Sequence, residues 1–255
     1  MLPVERRDRI RADLKRSSVV NAHDLSRELD VSLETIRRDL AELEKTGILV
    51  RVHGGATSSM PKRGDEASFS ERSGAATEAK ALIGSAAAAL IESGQTIFMD
   101  VGTTVLGVAR AMPHDFSGVV ATCSLLVAAE LAERPNIEVL VSGGRLRRGD
   151  LSLSNAQALD FFADLHADIA FLGSGGIDAE AGLTDYHLDE VAVRKVMMHN
   201  AAHAYVLVDS SKLGRVARHK VADFSEFDGV ITDQQPPSDI QEAISAAHGK
   251  VILPE

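Results

Sequence analysis

Five short segments of this 255-residue chain place glycine and small polar residues directly after apolar runs. They are Asp100-Val101-Gly102-Thr103-Thr104, Thr122-Cys123-Ser124, Ser142-Gly143-Gly144, Gly173-Ser174-Gly175-Gly176-Ile177-Asp178 and Asp209-Ser210-Ser211-Lys212. Any one of them alone is an ordinary turn. Together they describe one ligand site, because ligands of open α/β sheets bind outside the carboxyl ends of the strands. Gly102 lets the backbone approach a ligand closely, and Thr103 and Thr104 offer hydroxyls at a helix start. Unpaired N–H groups and the positive helix end there favour an anion. Lys212 can add a positive charge, while Asp100, Asp178 and Asp185 can accept hydrogen bonds from hydroxyls. An anion cradle beside hydroxyl acceptors suits a phosphorylated sugar.

A second group of residues lies near the N-terminus. Ser32 is placed to cap a helix that carries Leu33, Glu34 and Thr35 in its first turn, with Arg37 and Arg38 close behind. Ser32, Thr35 and Arg38 share one helix face. As the third helix of a helix-turn-helix, this segment would enter the DNA major groove, where arginine reads guanine or holds phosphate. The competing reading is a winged helix that binds protein. His187, His199, His203 and His219 show no metal-ligand spacing, so neither a metal nor a resident cofactor is expected. Cys123 is read as a buried thiol rather than a reactive one.

The elements that must position these residues fall into two textures. Val4 to Lys15 reads as a helix burying Ile10 and Leu14. Asn21 caps a second helix over Ala22 to Leu29, Asp30-Val31 turns, and the third helix buries Ile36, Leu40 and Leu43 before Gly47 ends it. Ile48 to Val52 is strand-like and His53-Gly54-Gly55 turns, which completes a winged helix-turn-helix. The Ser-rich stretch from Thr57 to Gly74 reads as a linker whose Phe69 to Arg72 portion can dock on a neighbouring domain. From Ala75 onward, near-continuous apolar strands alternate with helices, which argues for a mostly parallel sheet covered on both faces. The expected organisation is a DNA reader over 1–56, a linker over 57–74 and a sensor over 75–255.

The net charge of -10 argues against nucleic acid only until it is divided along the chain. Up to Arg51 there are 11 basic and 10 acidic residues, so the remainder carries the whole negative excess. An acidic body tends to stay off the phosphate backbone and leaves the contacts to the N-terminal bases. A single cysteine excludes an internal disulfide and a cysteine-based zinc site. No apolar run reaches about 18 residues and the N-terminus is charged rather than signal-like, so a cytoplasmic protein with no membrane partner is expected.

Ser32-Leu33-Glu34-Thr35-Ile36-Arg37-Arg38-Asp39-Leu40, then Leu43, then Arg51-Val52-His53-Gly54-Gly55-Ala56, resembles the DeoR family of bacterial transcription regulators. The match continues through Asp100-x-Gly102-Thr103-Thr104, Gly143-Gly144, Gly176-Ile177-Asp178, Gly182-Leu183-Thr184 and Asp209 to Gly214. The resemblance implies a winged helix-turn-helix followed by a mostly parallel α/β sugar-phosphate sensor related in fold to ribose-5-phosphate isomerase. It implies a homo-oligomer, from dimer to octamer, that represses genes of sugar uptake or catabolism and leaves double-stranded operator DNA when a phosphorylated sugar binds. The DNA-facing set on this chain is then Ser32, Leu33, Glu34, Thr35, Arg37, Arg38, Arg51 and His53. The effector set is Asp100, Gly102, Thr103, Thr104, Thr122, Ser124, Gly143, Gly144, Gly176, Asp178, Asp185, Glu190 and Lys212.

Two positions depart from the family's pattern: Cys123 stands where asparagine is common, and Asn155 where glycine is. The isomerases offer a further comparison. Their stretch after the fourth strand looks like acid-Gly-x-acid-x-Ile-Asp, but here both earlier acids are absent from Leu172 to Asp178. Their catalytic glutamate, which precedes a lysine, aligns with Arg194 before Lys195. Proton abstraction beside a carbonyl needs a positioned base. Binding without turnover is therefore expected, with a sugar-phosphate isomerase as the alternative.

Overall fold

The computed structural model describes residues 3–17, 19–45, 49–52, 54–58 and 66–254. The chain divides into two compact units, Met1–Asp65 and Glu66–Glu255.

In the first unit, α1 (Pro3–Ser17), β1 (Val19–Asn21), α2 (Ala22–Glu28), α3 (Leu33–Lys45), β2 (Leu49–Val52) and β3 (Gly55–Ser58) follow in order. Asn21 caps α2 by accepting from the His23 amide at 2.8 Å, and Ser32 caps α3 by accepting from the Thr35 amide at 3.2 Å. Between the two helices Asp30 takes a left-handed φ of 48°, and the Val31 carbonyl accepts the Ser26 hydroxyl at 2.6 Å. Ile10, Leu14, Leu25, Ile36, Leu40 and Leu43 bury one face of each helix in a common core. Arg6 of α1 reaches the same core and pairs with Asp39 of α3 at 2.5 Å. The three strands form an antiparallel sheet in the order β1-β3-β2. Gly47, Ile48 and His53 lie outside the described residues.

The second unit opens with α4 (Phe69–Gly74) and α5 (Thr77–Ala88). It continues through β4 (Thr96–Met99), α6 (Thr103–Ala111), β5 (Gly118–Thr122), α7 (Leu125–Leu131) and β6 (Ile137–Val141). A hairpin of β7 (Arg145–Arg147) and β8 (Ser152–Ser154) precedes α8 (Ala156–Ala163) and β9 (Ala167–Leu172). Then come β10 (Gly176–Asp178), β11 (Gly182–Asp185), α9 (Leu188–His199), β12 (Ala201–Leu207), β13 (His219–Ala222), β14 (Gly229–Ile231), α10 (Ser238–Ala246) and β15 (Lys250–Ile252).

Among the described residues, seven strands form a sheet in the order β15-β14-β12-β9-β4-β5-β6, with every pairing parallel. Alternation along the strands builds two cores. Phe98, Ala121, Ala170, Leu172 and Val206 face one side, where Phe162 of α8, Met197 of α9 and Ile240 of α10 cover them. Ile97, Met99, Val120, Phe171 and Leu207 face the other, under Ile83 of α5, Val105 of α6 and Leu131 of α7. The chain runs one way from β4 into β5 and β6, and the other way from β9 into β12 and beyond. The order therefore reverses between β4 and β9, where a crevice opens at the carboxyl ends.

The expected linker over 57–74 needs correction. Thr57 and Ser58 belong to β3, residues 59–65 lie outside the described set, and Glu66–Gly74 packs within the second unit. The cause is legible in Ser68-Phe69-Ser70-Glu71. The Ser68 hydroxyl accepts from the Glu71 amide at 3.3 Å and the Glu71 carboxylate accepts from the Ser68 amide at 2.9 Å, a reciprocal capping box that starts a helix. The sheet is parallel as expected, but the hairpin β7-β8 and the antiparallel set β10-β11-β13 were not foreseen. Their strands are only three or four residues long.

Candidate functional site

In the first unit, the turn between α2 and α3 presents the start of α3. Ser32, Glu34, Arg37 and Arg38 are exposed, while Ile36, Asp39 and Leu40 face inward. The Ser32 and Thr35 hydroxyls lie 2.9 Å apart, which fixes the first turn. Leu33 is partly buried against the core, so it is held more firmly than its exposed neighbours. Arg51 projects from β2 and its Nε donates to Glu44 at 2.7 Å. Seven of the eight expected DNA-facing residues are described, and His53 is not.

In the second unit, the β4/β9 crevice holds a small recess of about 20 Å³. Its floor is the start of α6. Gly102 sits there at φ 127°, a conformation that favours glycine, and caps the helix without a side chain. The first amides of α6, at Thr103, Thr104 and Val105, therefore have no side-chain cap, and all three residues line the recess. Lys212, which follows β12, lines it too and donates from Nζ to the Ser174 carbonyl at 2.5 Å. Burial pushes the Lys212 pKa down, with the Asp209 and Asp185 charges acting against the shift.

Asp100 lies beneath this floor. Its Oδ2 accepts from the Gly173 amide at 2.9 Å and from Arg194 Nε. Arg194 also donates from Nη1 to Asp185. Arg194 is buried at 1% exposure, and both carboxylates are buried with it. Burial works against the arginine's charge, but the two aspartates outweigh it and hold the pKa above the ordinary arginine value. Burial likewise raises Asp185, but Arg194 and the Tyr186 amide overcome this and leave its pKa below the usual carboxylate range. Arg194 is thus a cation locked into an ion pair with two buried carboxylates.

The hairpin supplies the opposite wall. Arg147 of β7 donates from Nε to Glu190 of α9 at 2.6 Å and from Nη2 to Asp150. The Ser152 hydroxyl donates to the same Glu190 carboxylate. Arg72 of α4 pairs with Asp150 and with Glu66. Glu66, Arg72, Arg147, Asp150 and Arg194 all line the recess, and none was in the expected effector set. For Glu66 and Arg72 the capping box was an available signal. Arg147 and Asp150 had none, because the hairpin carrying them left no periodic trace.

Of the expected effector residues, Gly102, Thr103, Thr104, Asp185, Glu190 and Lys212 line the recess, with Asp100 directly under it. The others are engaged elsewhere. Thr122 is fully buried, donates to the Met99 carbonyl at 2.6 Å and accepts from the Ser124 amide at 3.0 Å. Ser124 caps α7. Gly143 and Gly144 pack against Gln157 and Ser154, and Gly176 against Arg215. Asp178 accepts the Glu180 and Ala181 amides in the β10–β11 turn.

The two departures have local accounts. Asn155 stands at φ 102°, which glycine adopts freely, and it caps α8 through the Gln157 amide at 3.1 Å. Cys123 is buried, and burial followed by the Asp100 charge pushes its thiol well above the ordinary range. Among the described residues, no group of three metal-ligating side chains occurs, and no helix is long and apolar enough to cross a membrane.

The similarity to known proteins follows the same division. A model of the DeoR-like helix-turn-helix domain matches residues 6–62, and one of the DeoR C terminal sensor domain matches residues 75–234. The HTH-type transcriptional regulator GlpR of Haloferax volcanii is 37% identical over 252 residues, covering 99% of this chain and 98% of that one. The glycerol-3-phosphate regulon repressor of Escherichia coli K12 is 32% identical over 240 residues, covering 94% of each. Among solved structures, ribose 5-phosphate isomerase from Methanocaldococcus jannaschii is 19% identical with a TM-score of 0.40, over 53% of this chain and 54% of that one. The full-length relatives are transcriptional regulators rather than enzymes. With both domain models matched in order along one chain, the protein belongs to the DeoR family of transcriptional regulators.

Proposed function

We propose that the protein is a repressor of sugar uptake or catabolism genes and that a phosphorylated sugar binding in the β4/β9 recess releases it from operator DNA. One observation carries this reading. The uncapped start of α6 and Lys212 share a recess with the carboxylates of Asp185 and Glu190. The first pair suits a phosphate group and the second suits sugar hydroxyls. The name of the Escherichia coli relative, a glycerol-3-phosphate regulon repressor, supports this ligand class. The reader docks α3 in the major groove, with Ser32, Glu34, Thr35, Arg37 and Arg38 at the interface. It works in the cytoplasm as a homo-oligomer whose paired readers match repeated half-sites. No resident cofactor is required.

Ligand acts by preferring the arrangement that does not bind DNA, with a coupling of about 1–3 kcal/mol. A thermal-shift panel of triose, pentose, hexose and polyol phosphates, followed by mobility shifts on the gene's own promoter, tests the reading. A phosphate ester that raises Tm and weakens the shifted complex supports it. Operator affinity indifferent to every ester that binds would rule it out.

A further inference from the structure

Glu66 is the first residue of the second unit, and its carboxylate is set among cations that line the recess. Oε1 lies 3.3 Å from Arg72 Nη2, and Oε2 lies 3.7 Å from Arg147 Nη1. Oε2 also meets His187 Nε2 at 2.8 Å. Both arginines have firmer partners. Asp150 pairs with each of them, and Glu190, which also takes the Ser152 hydroxyl, holds Arg147 at 2.6 Å. Asp150 and Glu190 are buried, whereas Glu66 is half-buried and makes the longer arginine contacts.

Beyond these side-chain contacts, the end of the segment that carries Glu66 is held by Arg72 Nε, which donates to the Ala67 carbonyl at 3.0 Å, and by the Ser68–Glu71 capping box. Helix α4 buries no side chain completely. Its other end is fixed independently of the recess, where the buried Lys80 ammonium donates to the carbonyls of Arg72 and Ala75. The Glu66 side chain is held by His187 and by the same two arginines an incoming anion would meet.

We propose that Glu66 is an intramolecular competitor for the anion: its carboxylate occupies the basic side of the recess in the free protein, and an anionic ligand displaces it from Arg72 and Arg147. This rests on reading the recess as an anion site. A second negative charge within a few ångströms of Glu66 is repelled strongly in so shielded a setting. Among the carboxylates on these arginines, Glu66 makes the longest arginine contacts and is the one that leaves, opening its 2.8 Å contact with His187 as it does.

The test uses the full chain with inorganic phosphate as probe and sodium chloride of equal ionic strength as reference. Calorimetric titration of wild type, Glu66→Gln, Glu66→Ala and Glu78→Gln gives four affinities, and the Glu78 variant makes the same charge change on the exposed face of α5. Removing one like charge at this range is expected to tighten phosphate binding roughly threefold to tenfold in both Glu66 variants and not in Glu78→Gln. Hydrogen exchange of amides 66–75 is expected to speed up on adding phosphate to wild type and to be fast from the outset in Glu66→Ala. Phosphate binding that is equal or weaker in both Glu66 variants overturns the competitor role while the anion site stands. If neither wild type nor variants bind phosphate beyond the chloride reference, the anion site and the competitor role fall together.

Discussion

Arg194 Nε and the Gly173 amide donate to the same oxygen of Asp100, so the first strand of the sheet and the strand beside it are tied through one carboxylate. The tie spans the point where strand order reverses, and a buried side chain of α9 joins it. An arginine in this position organises the site from its wall, with its charge already taken by two carboxylates. Asp185, which lines the recess, is held by its other end.

Replacing Arg194 with leucine leaves Asp100 and Asp185 buried without their cation. The expected cost is about 3–5 kcal/mol, read as a lower Tm of the full chain at neutral pH. The pH dependence has a definite sign. In the wild type Asp185 has a depressed pKa, so its contribution is present above the unfolded carboxylate value of about 3.9 and is lost as pH falls through the lower folded value. Without the arginine, burial is opposed by the Tyr186 amide and the Lys212 charge alone, and that pKa rises. The deficit of the variant should therefore shrink as pH falls from about 6 toward 4. A deficit that is constant across this range would contradict the ion-pair account.

Lys212 should govern the alkaline limb of effector binding. Its pKa is pushed down by burial, so its charge disappears at a pH below the usual lysine value of about 10.4. Affinity for a phosphate ester found in the thermal-shift panel should fall over that limb in the wild type. In Lys212→Met it should be about tenfold weaker at pH 7 and flat toward alkaline pH. Titration calorimetry between pH 7 and 10 separates the two curves.

Gly102→Ala probes the α6 floor. No protein atom lies within 4 Å of where the new methyl would stand, so the change introduces no internal clash. At φ 127° the alanine is strained by about 1–3 kcal/mol, and its methyl stands in open space at the start of α6. Weaker phosphate binding with a modestly lower Tm is the expected pair of outcomes. Unchanged affinity would remove α6 from the ligand's contacts.

Arg37→Ala and Arg38→Ala should weaken promoter binding without altering the thermal shift produced by the effector. Where an arginine holds phosphate, its removal lowers the slope of log affinity against log salt by roughly 0.9 for each DNA phosphate it had neutralised. Mobility shifts at several salt concentrations measure this. A double variant that binds promoter DNA like the wild type would refute the placement of α3 in the groove.

The Cys123 thiol should be inert in the folded protein. Burial and the neighbouring Asp100 hold it well above the range in which thiolate forms at neutral pH. Reaction with a disulfide reagent should be slow in native buffer and immediate in denaturant. Rapid native labelling would show an exposed or ionised thiol instead.

The legible parts of this protein were those with a period. Ile36, Leu40 and Leu43 mark α3 by spacing, and the apolar runs of β4, β5 and β9 mark a sheet buried on both faces. The loops after those strands could then be placed at one end, which found Gly102, Thr103, Thr104 and Lys212. Arg147 and Asp150 sit on a hairpin whose two strands have three residues each, too short for any alternation to register. Thr122 and Ser124, expected as ligand contacts, have hydroxyls engaged within the protein. Small hydroxyls after a strand satisfy backbone and helix-cap groups as readily as they meet a ligand, and here they do the former.

The pairing of β4 with β9 also has a consequence for how the protein is made. The reader occupies the first 58 residues, whereas Arg194 and Lys212 emerge some 140 to 150 residues later. At about 5–20 residues per second, that interval lasts roughly 7 to 30 seconds. During it the ribosome carries a helix-turn-helix with no completed ligand pocket behind it. A newly made chain can therefore fold around its α3 before the recess behind it in the sequence has been made.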